Sequence, residues 1–277
     1  MNDYGLAGEW LSEAKNVIVL AGAGMSLDSG LPAFRTGANA LYKSFHPALK
    51  GRSFQDLASP HSFDMRDEKR VRLAWAFYYT RWKLYKSVEP HEGYQIIANF
   101  FEKKNGFIYT TNGDGLFLRA GFKDVYEVHG SINHLQCSQT CCEDVWEAEL
   151  DMEVNDKTFL VESGLPTCKF CGALARPNIL MFGDERFAES RHNKHFDKYF
   201  QFTRALDGDE TLCIEIGAGQ AVPTCRIEYS YHLGGEDGVR LLRINPGETD
   251  SRVRNPDWQV PIQAACLEAL QAIQAAL

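Results

Sequence analysis

The segment Asn16–Arg35, NVIVLAGAGMSLDSGLPAFR, decides the fold class of this chain. Its first six residues form an apolar run of strand length, and Gly22-Ala23-Gly24 follows at once. Glycines at the end of a strand let the backbone turn tightly and approach a phosphate group closely. Such a turn is a weak signal alone, because many glycine turns bind nothing. The segment therefore predicts a buried strand that is followed by a tight turn.

Further apolar runs of strand length recur along the chain. Each is rich in Val, Ile or Tyr and is bounded by Gly or polar residues. Continuous apolar runs are typical of strands buried on both faces, as in a parallel sheet. With the first run included, the predicted strands are Asn16–Ala21, Phe107–Thr111, Val125–Val128, Asn178–Phe182, Leu212–Gly217 and Val239–Asn245.

Longer amphipathic stretches lie between these runs and predict helices. The alternation of strands and helices predicts an α/β fold built on a Rossmann-like, doubly wound parallel sheet. The predicted helices are Leu6–Lys15, Glu68–Ser87, Pro90–Lys104, Asp114–Ala120, Lys194–Ala205 and Gln259–Ala276.

Two stretches depart from this alternation of strands and helices. Thr36–Tyr85 is a long insertion of loop and then helix, and Gln136–Ala175 carries cysteine pairs with little periodicity. We expect them to pack together as a smaller inserted domain, with a ligand in the cleft between the two domains. The larger domain is then expected at 1–35, 86–135 and 176–277, and the smaller, helical and zinc-binding one at 36–85 and 136–175.

Composition narrows the function classes. The chain has 277 residues, 44% of them hydrophobic, which is enough for a large domain and a small one. Its 37 acidic and 29 basic residues give a net charge of -8, so bare nucleic acid is not an expected partner. The N-terminus lacks the features of a secretory signal, and the apolar run Val17–Ala21 is too short to span a bilayer. We expect a cytoplasmic protein that does not bind membranes.

Five of the eight cysteines lie between Cys137 and Cys171. In a reducing compartment, clustered cysteines predict a metal site before disulfides. Cys168 and Cys171 form a tight C-x2-C knuckle, and with Cys137 and Cys141 they could hold one structural Zn through four thiolates. Cys142 is the alternative to Cys141. Unligated buried cysteines are the competing interpretation, and the acidic chain argues against a nucleic-acid zinc knuckle.

Two further strand ends carry polar residues. Thr110–Leu116, TTNGDGL, contains Asn112 and Asp114, although an ordinary turn is an equally simple interpretation. His129 lies at a strand end between an apolar run and a Gly-Ser turn. An ordinary histidine pKa of about 6.5 suits proton removal near neutral pH. Ligand groups gather at the carboxyl ends of strands in open α/β sheets, so these residues are site candidates. His134 is interpreted as structural.

Together these segments resemble the sirtuins, a family of NAD-dependent protein deacylases. Gly22–Arg35 resembles the family's NAD-binding signature GAGxSxxSGxPxFR, Thr110–Leu116 its T-Q-N-I-D-G-L segment, and Val128–Ser131 its catalytic His-Gly-Ser. Gly217–Gly219 occupies the place of the Gly-Thr-Ser phosphate loop, and Ile244–Glu248 resembles the I-N-x-E element that holds the adenosine ribose. The resemblance covers nearly the whole chain, and the shared order argues against chance.

The resemblance implies roles for individual residues. His129 is the expected general base, with Asn112 and Asp114 as further catalytic residues. The acyl oxygen of a lysine attacks C1′ of the nicotinamide ribose, nicotinamide leaves, and His129 then takes a proton from the ribose hydroxyls. Free lysine and O-acyl-ADP-ribose result, so acylated lysines of proteins are the expected partners. NAD is expected to contact Gly22, Ala23, Gly24, Ser26, Phe34, Arg35, Thr111, Asn112, Asp114, Gly217, Ala218, Gly219, Asn245 and Glu248.

Two segments bear on the acylated substrate. Arg176–Asp184, RPNILMFGD, resembles the sirtuin segment RPxIVxFGE, whose backbone pairs with the substrate peptide like an added strand. Tyr78 and Arg81 lie three apart on one helical face, as in sirtuins that remove acidic acyl groups, where the guanidinium can hold a carboxylate. An exposed Arg beside a packed Tyr on an amphipathic helix is the alternative. The expected substrate contacts are Tyr78, Arg81, Met181, Phe182 and Gly183.

Three departures from the family pattern bear on activity. Ala33 stands where sirtuins commonly have Asp, Thr111 where they have Gln, and Gly113 where they have Ile. The first two positions line the family's nicotinamide end, and Gly113 removes an apolar wall. Two other function classes therefore stay open. One is an ADP-ribosyltransferase or NAD hydrolase on the same fold, against which the retained His129 argues, and the other is a non-catalytic NAD or ADP-ribose sensor.

Overall fold

The computed structural model describes residues 3–32, 45–234, 238–247, 249 and 256–277. Within these segments the strands are β1 Asn16–Ala21, β2 Asn105–Thr110, β3 Val125–Glu127, β4 Gly130–Cys137, β5 Val145–Glu147, β6 Ala175–Ile179, β7 Thr211–Ile216, β8 Arg240–Ile244 and β9 Gln259–Ile262. The main sheet has six parallel strands in the order β3-β2-β1-β7-β8-β9. A small antiparallel sheet has the order β5-β4-β6.

The main sheet is doubly wound, as the sequence predicts. Its order runs from β1 to β3 in one direction and from β7 to β9 in the other, so the order reverses between β1 and β7. In open α/β sheets, ligands bind outside the carboxyl ends of the strands at such a reversal. The segments after β1 and β7, Gly22–Gly24 and Gly217–Gly219, therefore meet at the expected place for a ligand.

Helices cover both faces of the main sheet. In β1, the side chains of Val17 and Val19 belong to one core cluster, and those of Ile18 and Leu20 belong to a second cluster on the other face. None of the helices in these described segments is both long and apolar enough to cross a membrane. The helices are α1 Asp3–Glu13, α2 Gly24–Leu27, α3 Phe54–Leu57, α4 Glu68–Ser87, α5 Glu92–Phe101, α6 Leu116–Arg119, α7 Ser190–Arg204, α8 Thr224–Glu228 and α9 Cys266–Ala275.

The two insertions contact each other beside the main sheet. The ring of His46 stacks on that of Phe159, with centroids 4.5 Å apart. From α4, Arg72 donates a hydrogen bond of 2.9 Å to the carbonyl of Val161 in the cysteine-bearing insertion. These contacts suit the expected small domain, whose boundaries stay a prediction.

Two predicted elements are wrong in detail. The run Asn178–Phe182 is not a strand of the parallel sheet, because the strand here is β6, which pairs antiparallel with β4. The helix predicted over Gln259–Ala276 begins only at Cys266, and Gln259–Ile262 is the edge strand β9. Pro261 fits that position, since an edge strand tolerates a residue without a backbone N–H. Of the other predicted elements, Asn16–Ala21 and Glu68–Ser87 have the observed bounds, and the rest are present with shifted ends.

Candidate active site

A cleft of about 460 Å³ opens at the carboxyl ends of β1 and β7. It brings together residues that the sequence analysis selected from six separate segments. Phe34, Arg35 and Glu248, together with Ala33, lie outside the described residues. The selected residues that line the cleft are Gly22, Ala23, Gly24, Ser26, Arg81, Thr111, Asn112, Gly113, Asp114, His129, Gly217, Ala218, Gly219 and Asn245.

Two glycine turns pack against each other in the wall of this cleft. The amide of Gly24 donates a hydrogen bond of 2.9 Å to the carbonyl of Gly217. Gly217 has a φ of 60°, and a Cβ there would lie 2.4 Å from the backbone nitrogen of Met25. A Cβ at Gly22 would lie 2.6 Å from the Cα of Ala218. The contact between the two turns therefore requires these glycines, whether or not a phosphate also approaches them.

A buried polar cluster joins the turns that follow β1 and β2. The Ser26 hydroxyl donates to Asp114 Oδ2 at 2.6 Å, and Asn112 Nδ2 donates to Ser26 Oγ at 3.1 Å and to the carbonyl of Gly22 at 2.9 Å. Burial raises the pKa of the Asp114 carboxyl above its ordinary value, and hydrogen bonds from Ser26 and from the amide of Leu116 offset part of that rise. The cluster fixes Asn112 and Asp114 before any ligand binds.

His129 follows β3 and reaches the same cleft. Its Nε2 lies 3.3 Å from the hydroxyl oxygen of Thr224, and its carbonyl accepts a hydrogen bond of 2.9 Å from the amide of Leu180. His134 lies in β4 and is half-buried. Burial lowers the pKa of His134 to about 4, so this ring is neutral at physiological pH. Of these two histidines, His129 alone lies in the wall of the cleft.

Arg81 projects from α4 into the cleft wall beside a phenol that the sequence analysis did not select. Its Nη2 donates a hydrogen bond of 2.8 Å to the hydroxyl of Tyr85, which also lines the cleft. The guanidinium carbon lies 5.6 Å from the ring centroid of Tyr78. Tyr78 is only 1% exposed and packs beneath the guanidinium rather than in the cleft wall. The pair at the cleft is therefore Arg81 with Tyr85.

The segment after β6 lies next to His129 and is held by a buried ion pair. Arg176 donates two hydrogen bonds of 2.8 Å to the carboxylate of Asp184, and both side chains are almost wholly buried. Asp184 in turn accepts the amide of Met181 at 3.2 Å. The ring of Phe182 lies 6.5 Å from that of Phe54, which lines the cleft. Met181, Phe182 and Gly183 thus lie beside the cleft, outside its wall.

Thr111 and Gly113, two of the family departures, both line the cleft. The Thr111 hydroxyl lies 3.4 Å from the carbonyl of Ala21, to which it donates. A Cβ at Gly113 would lie 3.0 Å from the carbonyl oxygen of Gly130. A larger residue at position 113 would therefore require the Gly130 backbone to move.

The four cysteines selected as metal ligands form one cluster. Sγ atoms of Cys137, Cys141, Cys168 and Cys171 all lie within 4.8 Å of one another. The pair Cys137–Cys171 is 3.7 Å apart and the pair Cys141–Cys168 is 3.6 Å apart. Four thiolates about 2.3 Å from a tetrahedral Zn would lie roughly 3.8 Å apart, so the cluster is consistent with structural zinc. Cys142 is not a member of this cluster, which favours Cys141 as the fourth ligand.

Sequence reasoning did not select several residues of this region, among them Tyr85, Phe54 and Thr224. Tyr85 and Phe54 line the cleft, and Thr224 contacts His129. Tyr85 follows Arg81 by four positions in a predicted helix, and that spacing could have indicated the contact. Phe54 and Thr224 carry no such local signal, because their neighbours in the site are distant in sequence.

Comparisons with known proteins agree with this geometry. The family model described as Sir2 matches residues 22–206. An NAD-dependent protein deacylase of Aquifex aeolicus is 29% identical over 86% of both chains. One from Thermococcus kodakarensis is 32% identical over 87% of this chain and 84% of its own. A mutant Sir2 homologue solved with ADP-ribose has the same fold, with a TM-score of 0.71 at 22% identity over 100% of this chain and 96% of that one. The matched family model, together with the cleft and the cysteine cluster, shows that this chain belongs to the Sir2 family.

Proposed function

We propose that this protein is an NAD-dependent protein-lysine deacylase with His129 as its general base. One observation carries the proposal: a single cleft at the reversal of the strand order contains His129, Asn112, Asp114 and both glycine turns. The named activity of the relatives, NAD-dependent protein deacylation, supports the same reaction.

The cleft residues suit a dinucleotide co-substrate. The pyrophosphate is assigned to the backbone of Gly22–Gly24 and Gly217–Gly219, where two turns meet at the strand ends. The adenosine ribose is assigned to Asn245, whose Nδ2 donates to the carbonyl of Ala218 at 3.1 Å and whose Oδ1 accepts from the amide of Gly247 at 3.0 Å. The nicotinamide ribose is assigned to the Ser26, Asn112 and Asp114 cluster. The rigid cluster would supply placement rather than a strong nucleophile.

The reaction divides into two stages. In the first, the acyl oxygen of the lysine displaces nicotinamide from C1′ of the ribose and leaves an imidate. In the second, His129 accepts a proton from the ribose hydroxyls, one of which attacks the imidate carbon, and water completes the release of free lysine and O-acyl-ADP-ribose. His129 is assigned to the second stage alone, since nicotinamide departure requires no base.

Arg81 and Tyr85 support a preference for acidic acyl groups. A half-buried guanidinium facing an apolar acetyl group would gain no partner from the substrate, whereas a succinyl or malonyl carboxylate supplies one. The Tyr85 hydroxyl, already 2.8 Å from Arg81 Nη2, lies where it can serve as a further donor. The phenol that the sequence analysis chose, Tyr78, is assigned the role of a packing surface beneath Arg81.

The substrate peptide is assigned to the edge of the segment Leu180–Gly183. The amides of Leu180 and Phe182 already donate to the carbonyls of His129 and Ala58, and that of Met181 donates to Asp184. At Leu180, Met181 and Phe182, peptide pairing therefore depends on the carbonyl groups. Zinc at the four cysteines is assigned a structural role, because four thiolates leave no open position for water.

Product analysis tests the proposal. The protein is incubated with NAD and peptides that carry acetyl-, malonyl- or succinyl-lysine, and the products are identified by mass spectrometry. We expect nicotinamide, unmodified lysine peptide and O-acyl-ADP-ribose in equal amounts. Free ADP-ribose without deacylated peptide would indicate an NAD hydrolase, an ADP-ribosylated acceptor would indicate a transferase, and no nicotinamide would indicate a sensor. Each of these outcomes would contradict the proposal.

A further inference from the structure

Thr224 places a hydroxyl group against the ring of the proposed base. Its Oγ1 lies 3.3 Å from Nε2 of His129, although the two residues are 95 positions apart. Thr224 is the first residue of α8 and is half-buried. Its neighbours Val222 and Cys225 line the cleft together with His129. The contact therefore lies beside the cleft, at Nε2 of His129.

The start of α8 is anchored to the ends of both central strands. The Cys225 thiol donates to the carbonyl of Ala21, at the end of β1, over 3.6 Å. Arg226 donates to the carbonyl of Ala218 at 3.4 Å and lies 3.7 Å from the carboxylate of Glu215 in β7. Cys225 and Arg226, which follow Thr224, are thus bonded to the ends of both strands. The Thr224 hydroxyl is therefore held in place by the same backbone that forms the cleft wall.

The chemistry of a histidine base makes this contact consequential. A neutral imidazole carries its proton on one nitrogen, and only the other nitrogen can accept a proton. A threonine hydroxyl can donate to a bare ring nitrogen and so stabilise the tautomer that leaves this nitrogen bare. A donor to Nε2 would keep the ring proton on Nδ1.

We infer that Thr224 is a positioning residue that sets the tautomer and orientation of His129. Its hydroxyl donates to Nε2, which keeps the ring proton on Nδ1 and leaves the Nε2 lone pair as the proton acceptor. A ribose hydroxyl then takes the place of Thr224 at Nε2 and gives up its proton there. The inference rests on the proposed role of His129, and it assigns Thr224 no contact with the substrate.

Two variants separate the hydroxyl from the shape of the side chain. Thr224→Val keeps the branched shape and removes the hydroxyl, whereas Thr224→Ser keeps the hydroxyl. Thr224→Val should lower the rate of acyl-product formation by roughly two- to tenfold, the factor that one neutral hydrogen bond supplies. Exchange of labelled nicotinamide belongs to the stage before the base acts, so it should stay at the wild-type rate. Thr224→Ser should restore product formation. Thr203→Val, which removes an exposed hydroxyl bonded to Phe200 within α7, is the control and should change neither rate.

The tautomer itself can be read by NMR of ¹⁵N-histidine-labelled protein, with the His129 signals identified by their loss in His129→Ala. The wild type and Thr224→Ser should show the Nδ1–H tautomer, and Thr224→Val should show a growing share of Nε2–H. A wild-type ring protonated on Nε2, or wild-type product formation by Thr224→Val, would overturn the inference. If His129→Ala itself kept full product formation, the proposed function would fail instead, so the two failures are distinguishable.

Discussion

The Ser26 hydroxyl donates a 2.6 Å hydrogen bond to Asp114 and so joins the turn after β1 to the turn after β2 across 88 positions of sequence. Asn112 donates to the same Ser26 oxygen at 3.1 Å. Because these side chains are buried, the bonds hold a carboxyl group in an environment that disfavours its charge. The candidate site therefore carries a cost in stability that depends on pH.

Asp114→Asn should become more stable relative to the wild type as the pH rises. Burial raises the native pKa of Asp114 above its ordinary 3.8, so above that pH the native state binds more protons at this carboxyl than the unfolded state does. Stability is therefore lost as the pH rises toward the native pKa, by at most about 1.4 kcal/mol per pH unit, and Asn removes this loss. Urea denaturation at about pH 4 and about pH 7 measures the difference. Substitution of the exposed Asp151 by Asn is the control. If the stability of Asp114→Asn relative to the wild type decreased as the pH rises, the account would be contradicted.

Gly217→Ala should destabilise the protein far more than Gly121→Ala. Both glycines have positive φ, 60° and 94°, so each substitution carries the left-handed backbone cost of about 1–2 kcal/mol. A Cβ at Gly217 would also collide with the Gly24–Met25 backbone, whereas nothing lies within 4 Å of one at Gly121. Overpacking of that kind adds about 1–3 kcal/mol to the loss in unfolding free energy. Equal losses for the two variants would show that the turns do not depend on this contact.

Purified protein should contain about one zinc ion per chain, bound by four thiolates. Cys141→Ser should lower the zinc content, and Cys142→Ser, at the adjacent position, should leave it unchanged, because only Cys141 belongs to the cluster. Chelation should unfold the cysteine-bearing insertion and lower activity indirectly. Metal analysis of the wild type and both variants decides the matter. Zinc loss in Cys142→Ser with retention in Cys141→Ser would reverse the ligand assignment.

Arg81→Met should lower turnover of succinyl-lysine by roughly ten- to a hundredfold and spare acetyl-lysine, since it removes a charge-assisted pair with the acyl carboxylate. Tyr85→Phe should lower succinyl turnover by a smaller factor, because it removes one donor beside Arg81. Tyr78→Phe keeps the packing ring beneath the guanidinium and is the matched control. If the wild type prefers acetyl-lysine and Arg81→Met changes neither rate, the acidic-acyl assignment is wrong.

The sequence predicted the central sheet well because continuous apolar runs carry a strong local signal. The prediction for β1 has the observed bounds, and the predicted helix Glu68–Ser87 is α4. Periodicity could not show which sheet a buried run joins, so β6 was assigned to the wrong one. The periodicity also assigned the residues of β9 to the last predicted helix. Polar residues and a proline interrupt the apolar pattern of that edge strand, so it was not recognised as a strand.

The candidate site was predictable where a motif is continuous in sequence and not where contacts cross the fold. The glycine turns, Asn112, Asp114 and His129 follow strand ends, and the topology brings all of them to one edge of the sheet. Thr224 lies in a segment without a motif, and its contact with His129 exists only after β3 and β7 are in place. Both tyrosines are buried, yet Tyr85 lines the cleft and Tyr78 does not, a difference that helical spacing alone does not resolve.

The most direct measurement compares His129→Ala with the wild type in two assays on the same acyl-lysine peptide. One follows exchange of labelled nicotinamide into NAD, and the other follows formation of deacylated peptide and O-acyl-ADP-ribose. Because His129 is assigned to the step after nicotinamide departs, the variant should keep exchange while its acyl-product formation falls by about a hundredfold or more. Acyl-product formation at the wild-type rate by His129→Ala would contradict the account.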